Sequence, residues 1–123
     1  MGEMQAALLS AVARRVGIEK AREVDPWFFP DEQWMRQVLD ETGFVVEKME
    51  LEYRPTRATE GGGEGSGVEG WVRLMGKQFL DVLGEEREEV VREVCEVLES
   101  VCARPGEGHL IGYVRLRVLA RKL

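Results

Sequence analysis

Phe44-Val45-Val46-Glu47-Lys48-Met49-Glu50-Leu51-Glu52-Tyr53 is the stretch on which the fold turns. Its apolar residues recur at every second position. Val45, Met49, Leu51 and Tyr53 fall on one face of an extended chain, and Lys48, Glu50 and Glu52 fall on the other. That period predicts a strand with one wet or charge-paired face. A second such stretch lies at the end of the chain, from about Leu110 to Arg121. There Gly112, Val114, Leu116, Val118 and Ala120 share one face, and Tyr113, Arg115 and Arg117 share the other. If the two strands pair antiparallel, Glu50 and Glu52 face Arg115 and Arg117, at about 0.2–1 kcal/mol per pair. The outer edge of the last strand is then bare, and a bare apolar edge asks for a partner strand.

Around these strands the spacing is helical. Met4, Ala7, Leu8, Ala11, Val12 and Val16 predict a helix from about Glu3 to Val16, ended by Gly17. It begins almost at residue 1, which reads as a chain cut upstream. A linker leads to Pro26-Trp27-Phe28-Phe29-Pro30. Asp31 is a good N-cap for a second helix with a Trp34, Met35, Val38 and Leu39 stripe, stopped by Gly43. Residues 55–67 read as a flexible glycine-rich loop. Val68, Trp71, Val72, Met75, Phe79, Val82 and Leu83 form the stripe of a third helix, closed by Gly84. Val90, Val91, Val94, Val97, Leu98 and Val101 form that of a fourth, from Glu85 to about Val101. The order is α-α-β-α-α-β, an α+β arrangement in which helices must cover a strand pair too small to stand alone.

Composition bounds the function. The 123 residues fit one domain, and 44% hydrophobic with 33% charged residues places the chain among globular proteins. A net charge of −6 disfavours nucleic acid as a partner, since only the last strand is locally basic. No run of about 18 apolar residues suits a membrane. Cys95 and Cys102 lie seven apart on one helical face, roughly 10 Å, too far for a disulfide. They read as reduced core residues of a cytoplasmic protein.

The chemistry-bearing motifs are thin. Gly65-Ser66-Gly67-Val68-Glu69-Gly70 matches a dinucleotide-binding pattern literally, but an acidic stretch precedes it in place of the buried strand that the site needs. It reads as a lid-like loop. His109 is the only histidine and reads as a turn or surface residue; no cysteine or histidine spacing suits a metal. No residue stands out as catalytic. Trp27, Phe28 and Phe29 are either a plug at a helix entry or the aromatic wall of a ligand pocket. Trp71 lies on the apolar stripe and reads as core. Arg73 lies off it, as a surface residue or an anion-binding arm.

Taken together, several stretches resemble a family. Pro26-Trp27-Phe28-Phe29-Pro30 with Thr42-Gly43-Phe44-Val45-Val46-Glu47 resembles its PWYFP and AGF-x-VE segments. Leu51-Glu52-Tyr53-Arg54-Pro55-Thr56 resembles its strand ending in an R-P-T turn, and Gly70-Trp71-Val72-Arg73 its G-W-L-R helix start. Tyr113 to Lys122 resembles its closing strand. The family is the class I S-adenosylmethionine-dependent methyltransferases, in the trans-aconitate-methyltransferase-like branch. The match runs over nearly the whole chain and corresponds to the C-terminal part of the family's doubly wound domain, with the two strands as its sixth and seventh. The resemblance implies S-adenosylmethionine as cofactor and a small substrate, acidic where Arg73 pairs with it, with Trp27, Phe28, Phe29, Trp71 and Arg73 facing it. The family's cofactor-binding glycine loop and acidic residue have no counterpart here. The chain is therefore expected to be a single partial domain over 1–123, inactive unless a chain carrying the cofactor half completes it. The rival expectations are an interaction module that dimerises or pairs through its bare strand edge, and a small ligand-binding domain built on the aromatic cluster.

Overall fold

A computed structural model describes residues 1–58 and 67–123. They form an α+β chain that divides into two compact units, Met1–Trp27 with Pro55–Gly112, and Phe28–Arg54 with Tyr113–Leu123.

The first unit is a helical layer with a small sheet. Helix α1 (Gly2–Val16) buries Met4, Leu8, Ala11 and Val12, the stripe expected of it, and Gly17 ends it at φ 89°. The expected linker then opens with a short helix, α2 (Ile18–Glu23), which the fully buried Ala21 holds against α1. Helix α6 (Arg87–Cys102) packs on α1 and buries Val90, Val91, Val94, Cys95, Leu98 and Cys102. Between them the single expected helix is broken in two. Helix α4 (Gly67–Met75) buries Val68 and Val72, and α5 (Lys77–Leu80) buries Phe79 and Leu80. The break is at Gly76, whose amide donates to the Val72 carbonyl at 2.8 Å and where any Cβ would stand 2.8 Å from Leu8 Cδ1 of α1. A turn of tighter helix, Gly84–Glu86, leads into α6.

Both cysteines are free and buried. Burial pushes the Cys95 thiol up to about 11, and Cys102 is raised by the same desolvation. Neither is set up as a nucleophile.

The last expected strand is also divided. Strand β4 (Gly108–Ile111) belongs to the first unit, where it lies between β2 (Thr56–Arg57) and β3 (Ala103–Arg104) in an antiparallel sheet. The chain leaves it at Gly112, whose amide donates to Glu3 Oε1 at 2.7 Å and whose carbonyl accepts from the Met1 ammonium. A main-chain amide committed to a side chain has left the ladder, so the strand cannot run on. Of the expected loop over 55–67, residues 59–66 lie outside the described residues; Thr56–Arg57 are β2 and Gly67 opens α4.

The second unit is a helix on a two-stranded ribbon. Asp31 caps α3 (Glu32–Glu41), its Oδ1 accepting from the Trp34 amide at 2.7 Å. Gly43, at φ 84°, turns the chain into β1 (Phe44–Tyr53), which pairs antiparallel with β5 (Val114–Lys122). The register sets Glu50 opposite Arg117 and Glu52 opposite Arg115, as the alternation requires. The close ion pair is diagonal, however: Arg117 donates to Glu52 at 2.9 Å, and Arg54 donates to the same carboxylate at 2.7 Å. Those two cations hold the Glu52 carboxyl below its ordinary range, Arg54 foremost. A bulge between Val46 and Lys48 corrects one face assignment. The extra residue, Glu47, shifts the alternation, so Val46 and not Val45 joins Met49, Leu51 and Tyr53 on the apolar face.

Candidate functional site

The five residues expected to face a substrate are placed in different settings. Trp27 ends the first stretch of the first unit. Its amide donates to Asp25 Oδ1 at 2.9 Å, and its half-buried ring sits 5.8 Å from that of Phe79, tilted by 53°. Phe28 and Phe29 belong to the second unit and are 66% and 53% exposed. Phe28 meets Trp34 edge to face, with centroids 5.0 Å apart. Trp27 thus faces Phe79 within the helical unit, and Phe28 meets Trp34 at the entry to α3.

Trp71 and Arg73 both stand on α4. Trp71 is half-buried, between the buried Val68 and Val72 on the helix. Arg73 is tied down. It donates to Glu88 Oε2 at 2.7 Å and, one helical turn back, to Glu69 Oε1 at 3.5 Å. Glu88 is the first cause of the rise in the Arg73 pKa, and Arg73 in turn holds the Glu88 carboxyl below its ordinary range. The buried Nε–H of Arg73 has no acceptor among the described residues. An unpaired buried donor costs about 1–3 kcal/mol. Arg73 is therefore a clamp between α4 and α6.

The clamp makes a pH prediction. The folded-state pKa of Glu88 lies below its ordinary value, so the pair stabilises the fold above that value and the contribution fades as pH falls through the depressed one. Glu88→Gln should lower the urea midpoint at about pH 6, and the gap to wild type should close as the pH falls through the depressed value. Because Glu88 is solvent-exposed the gap will be modest. A gap that does not change with pH would remove the pair as a source of stability.

The i, i+4 spacing of Glu69 and Arg73 was available to sequence reasoning. Glu88 was not: it lies 15 residues away and reaches Arg73 only because α4 packs on α6. Two surface clefts are also formed. One, of about 370 Å³, runs between α1 and α6 past Ala7, Ser10, Ala11, Val94 and Val97. The other, of about 560 Å³, lies between α3 and the start of β1, beside Arg36, Asp40 and Phe44. None of the five expected residues lines either cleft. Among the described residues no three metal-ligating side chains converge, and no helix is long and apolar enough to cross a membrane.

No protein-family model matches the sequence. The chain is similar to a protein of the fission yeast Schizosaccharomyces pombe named "Uncharacterized methyltransferase C70.08c", with 29% identity over 124 residues. The similarity takes in 99% of this chain, which spans 44% of the length of that relative.

Proposed function

We propose that this chain is the substrate-side portion of an S-adenosylmethionine-dependent methyltransferase acting on a small, acidic molecule in the cytoplasm. The similarity to a relative named a methyltransferase, over nearly all of this chain but less than half of that relative, carries the reading. The trans-aconitate-like branch rests on the motifs around Trp27, Trp71 and Tyr113 alone.

The described residues do not fit the cofactor. A sulfonium nucleoside needs a close backbone approach at a strand-to-helix turn of a parallel sheet, with a carboxylate for the ribose. Every described strand pair here is antiparallel. Of the glycine pattern at 65–70, Gly65 and Ser66 lie outside the described residues. On this reading a second polypeptide portion holds the methyl donor, and no step of the transfer is assigned to this chain. Its own part is to receive the acceptor. The partly exposed guanidinium of Arg73, which Glu88 already holds, is the cation that a substrate carboxylate would meet.

Calorimetric titration of the purified chain with S-adenosylmethionine tests the reading. No binding heat is expected from the chain alone. Binding at micromolar affinity would overturn the division of labour and place a cofactor site within this chain.

A second reading, a non-enzymatic interaction module, has one observation in its favour: the apolar surface left open on the β1–β5 ribbon.

A further inference from the structure

Apolar burial is unevenly divided. Every buried hydrophobic residue among the described ones lies in the first unit. The second unit buries none, and most of the exposed large apolar side chains belong to it. One short helix on two strands with no buried side chain is not a self-sufficient fold.

The open surface has a definite shape. Three consecutive cross-strand pairs, Met49 with Val118, Leu51 with Leu116 and Tyr53 with Val114, carry apolar side chains on one face of the ribbon. Leu51 is 54% exposed, Tyr53 64% and Val114 63%, although α3 packs on β1. The opposite face carries the charges, and they are paired within the ribbon: Glu52 with Arg54 and Arg117, and Glu47 with Arg121. One face is suited to water; the other lacks a cover.

We infer that two copies of this chain dimerise about a two-fold axis by packing these apolar faces together. The charges select the face over the edges. Pairing β5 with β5 of a second copy sets the Arg115, Arg117 and Arg121 row against itself, and pairing β1 with β1 sets Glu47, Glu50 and Glu52 against themselves. Like charges across a ladder are destabilising. Pairing β1 with β5 of another copy matches the charges, but that contact is head-to-tail and yields rings or filaments, not a two-fold dimer. Packing face to face leaves each ribbon's own ion pairs intact. An axis through the Leu51–Leu116 pair lays the Tyr53–Val114 row of one copy over the Met49–Val118 row of the other. Each bulky ring then meets a smaller or more pliable side chain. Ribbons of nine or ten residues bury roughly 1,000 Å² in this way, the lower bound for a specific interface, so a micromolar dimer is expected. The inference does not depend on the proposed methyltransferase role.

Sedimentation equilibrium of the purified chain tests it. The mass should rise from 14.0 kDa towards twice that value as concentration increases to about 100 μM. Leu51→Lys with Val118→Lys should stay monomeric with an unchanged helical circular-dichroism signal. An independent variant covers the case in which the double variant does not fold. A bis-maleimide reagent with a reach of about 10 Å, the spacing of face-packed sheets, should link Leu51→Cys to its copy as a covalent dimer, and should not link Arg117→Cys on the opposite face. A wild-type monomer at the highest concentration overturns the inference. So do a dimer that survives both lysines, and larger species that dissolve in high salt, which would identify edge pairing.

Discussion

Gly76→Ala is expected to destabilise the first unit by about 2–3 kcal/mol, although it adds a single methyl group to a position whose dihedral angles any residue adopts. The cause is space. A Cβ on Gly76 would stand 2.6 Å from the Val72 carbonyl oxygen and 2.8 Å from Leu8 Cδ1. The Leu8 methyl can rotate away. The carbonyl cannot, because it accepts the Gly76 amide at 2.8 Å and closes the last turn of α4. To make room, the chain must either open that turn or push α4 and α5 away from α1, and both loosen the layer that buries Phe79, Leu80 and Leu8. Gly84→Ala is the control. Gly84 sits at φ 60°, and a methyl group there would meet nothing within 4 Å, so only the left-handed backbone opposes the change, at about 1 kcal/mol. Urea midpoints of the two variants separate the causes. If Gly76→Ala proves the milder of the two, crowding against Leu8 is not what breaks the helix.

Gly76 also marks where reading the sequence reached its limit. The stripe from Val68 to Leu83 has an unbroken helical period, and a glycine inside it is legible only as a weak helix former. That the chain stops and restarts there follows from Leu8, which lies 68 residues earlier and reaches Gly76 only through the tertiary fold. The strand at the end of the chain misled in the same way. Gly112 and Tyr113 continue its alternation, yet the Gly112 amide is taken by Glu3, at the other end of the chain. Local pattern suffices where the distant partner agrees with it: Met4, Leu8, Ala11 and Val12 of α1 and Val90, Val91, Val94 and Leu98 of α6 are buried, Asp31 caps α3, and β1 pairs with β5 in the charge-matched register, whereas Val97 and Val101 of the expected α6 stripe are 49% and 52% exposed and Cys95 and Cys102 are buried in their stead. The candidate site was the least legible part. Trp27, Phe28 and Phe29 are neighbours in sequence, but the boundary between the two units falls between the first and second of them. Arg73 was open to two readings because its role depends on Glu88, which no local spacing connects to it.

Phe79→Ala should remove about 3–5 kcal/mol from the first unit, the largest loss expected from any single truncation here. Phe79 is fully buried on α5, a helix of only four residues with no side-chain cap, so its ring does more than fill space. Packing holds α5 in place, because so short a helix has no stability of its own. The same ring is the partner of Trp27, and this gives the truncation a second use. If Trp27 is a plug, its contribution depends on Phe79, and Trp27→Ala will cost less in the Phe79→Ala background than in wild type. A double-mutant cycle should return a coupling of about 0.5–1.5 kcal/mol, the range for a tilted aromatic pair at 5.8 Å. Additive losses would mean that the indole is held by other contacts and that its face towards Phe79 contributes nothing. In that case the loss at Trp27 is independent of Phe79, and the pairing of the two rings is not what places the indole.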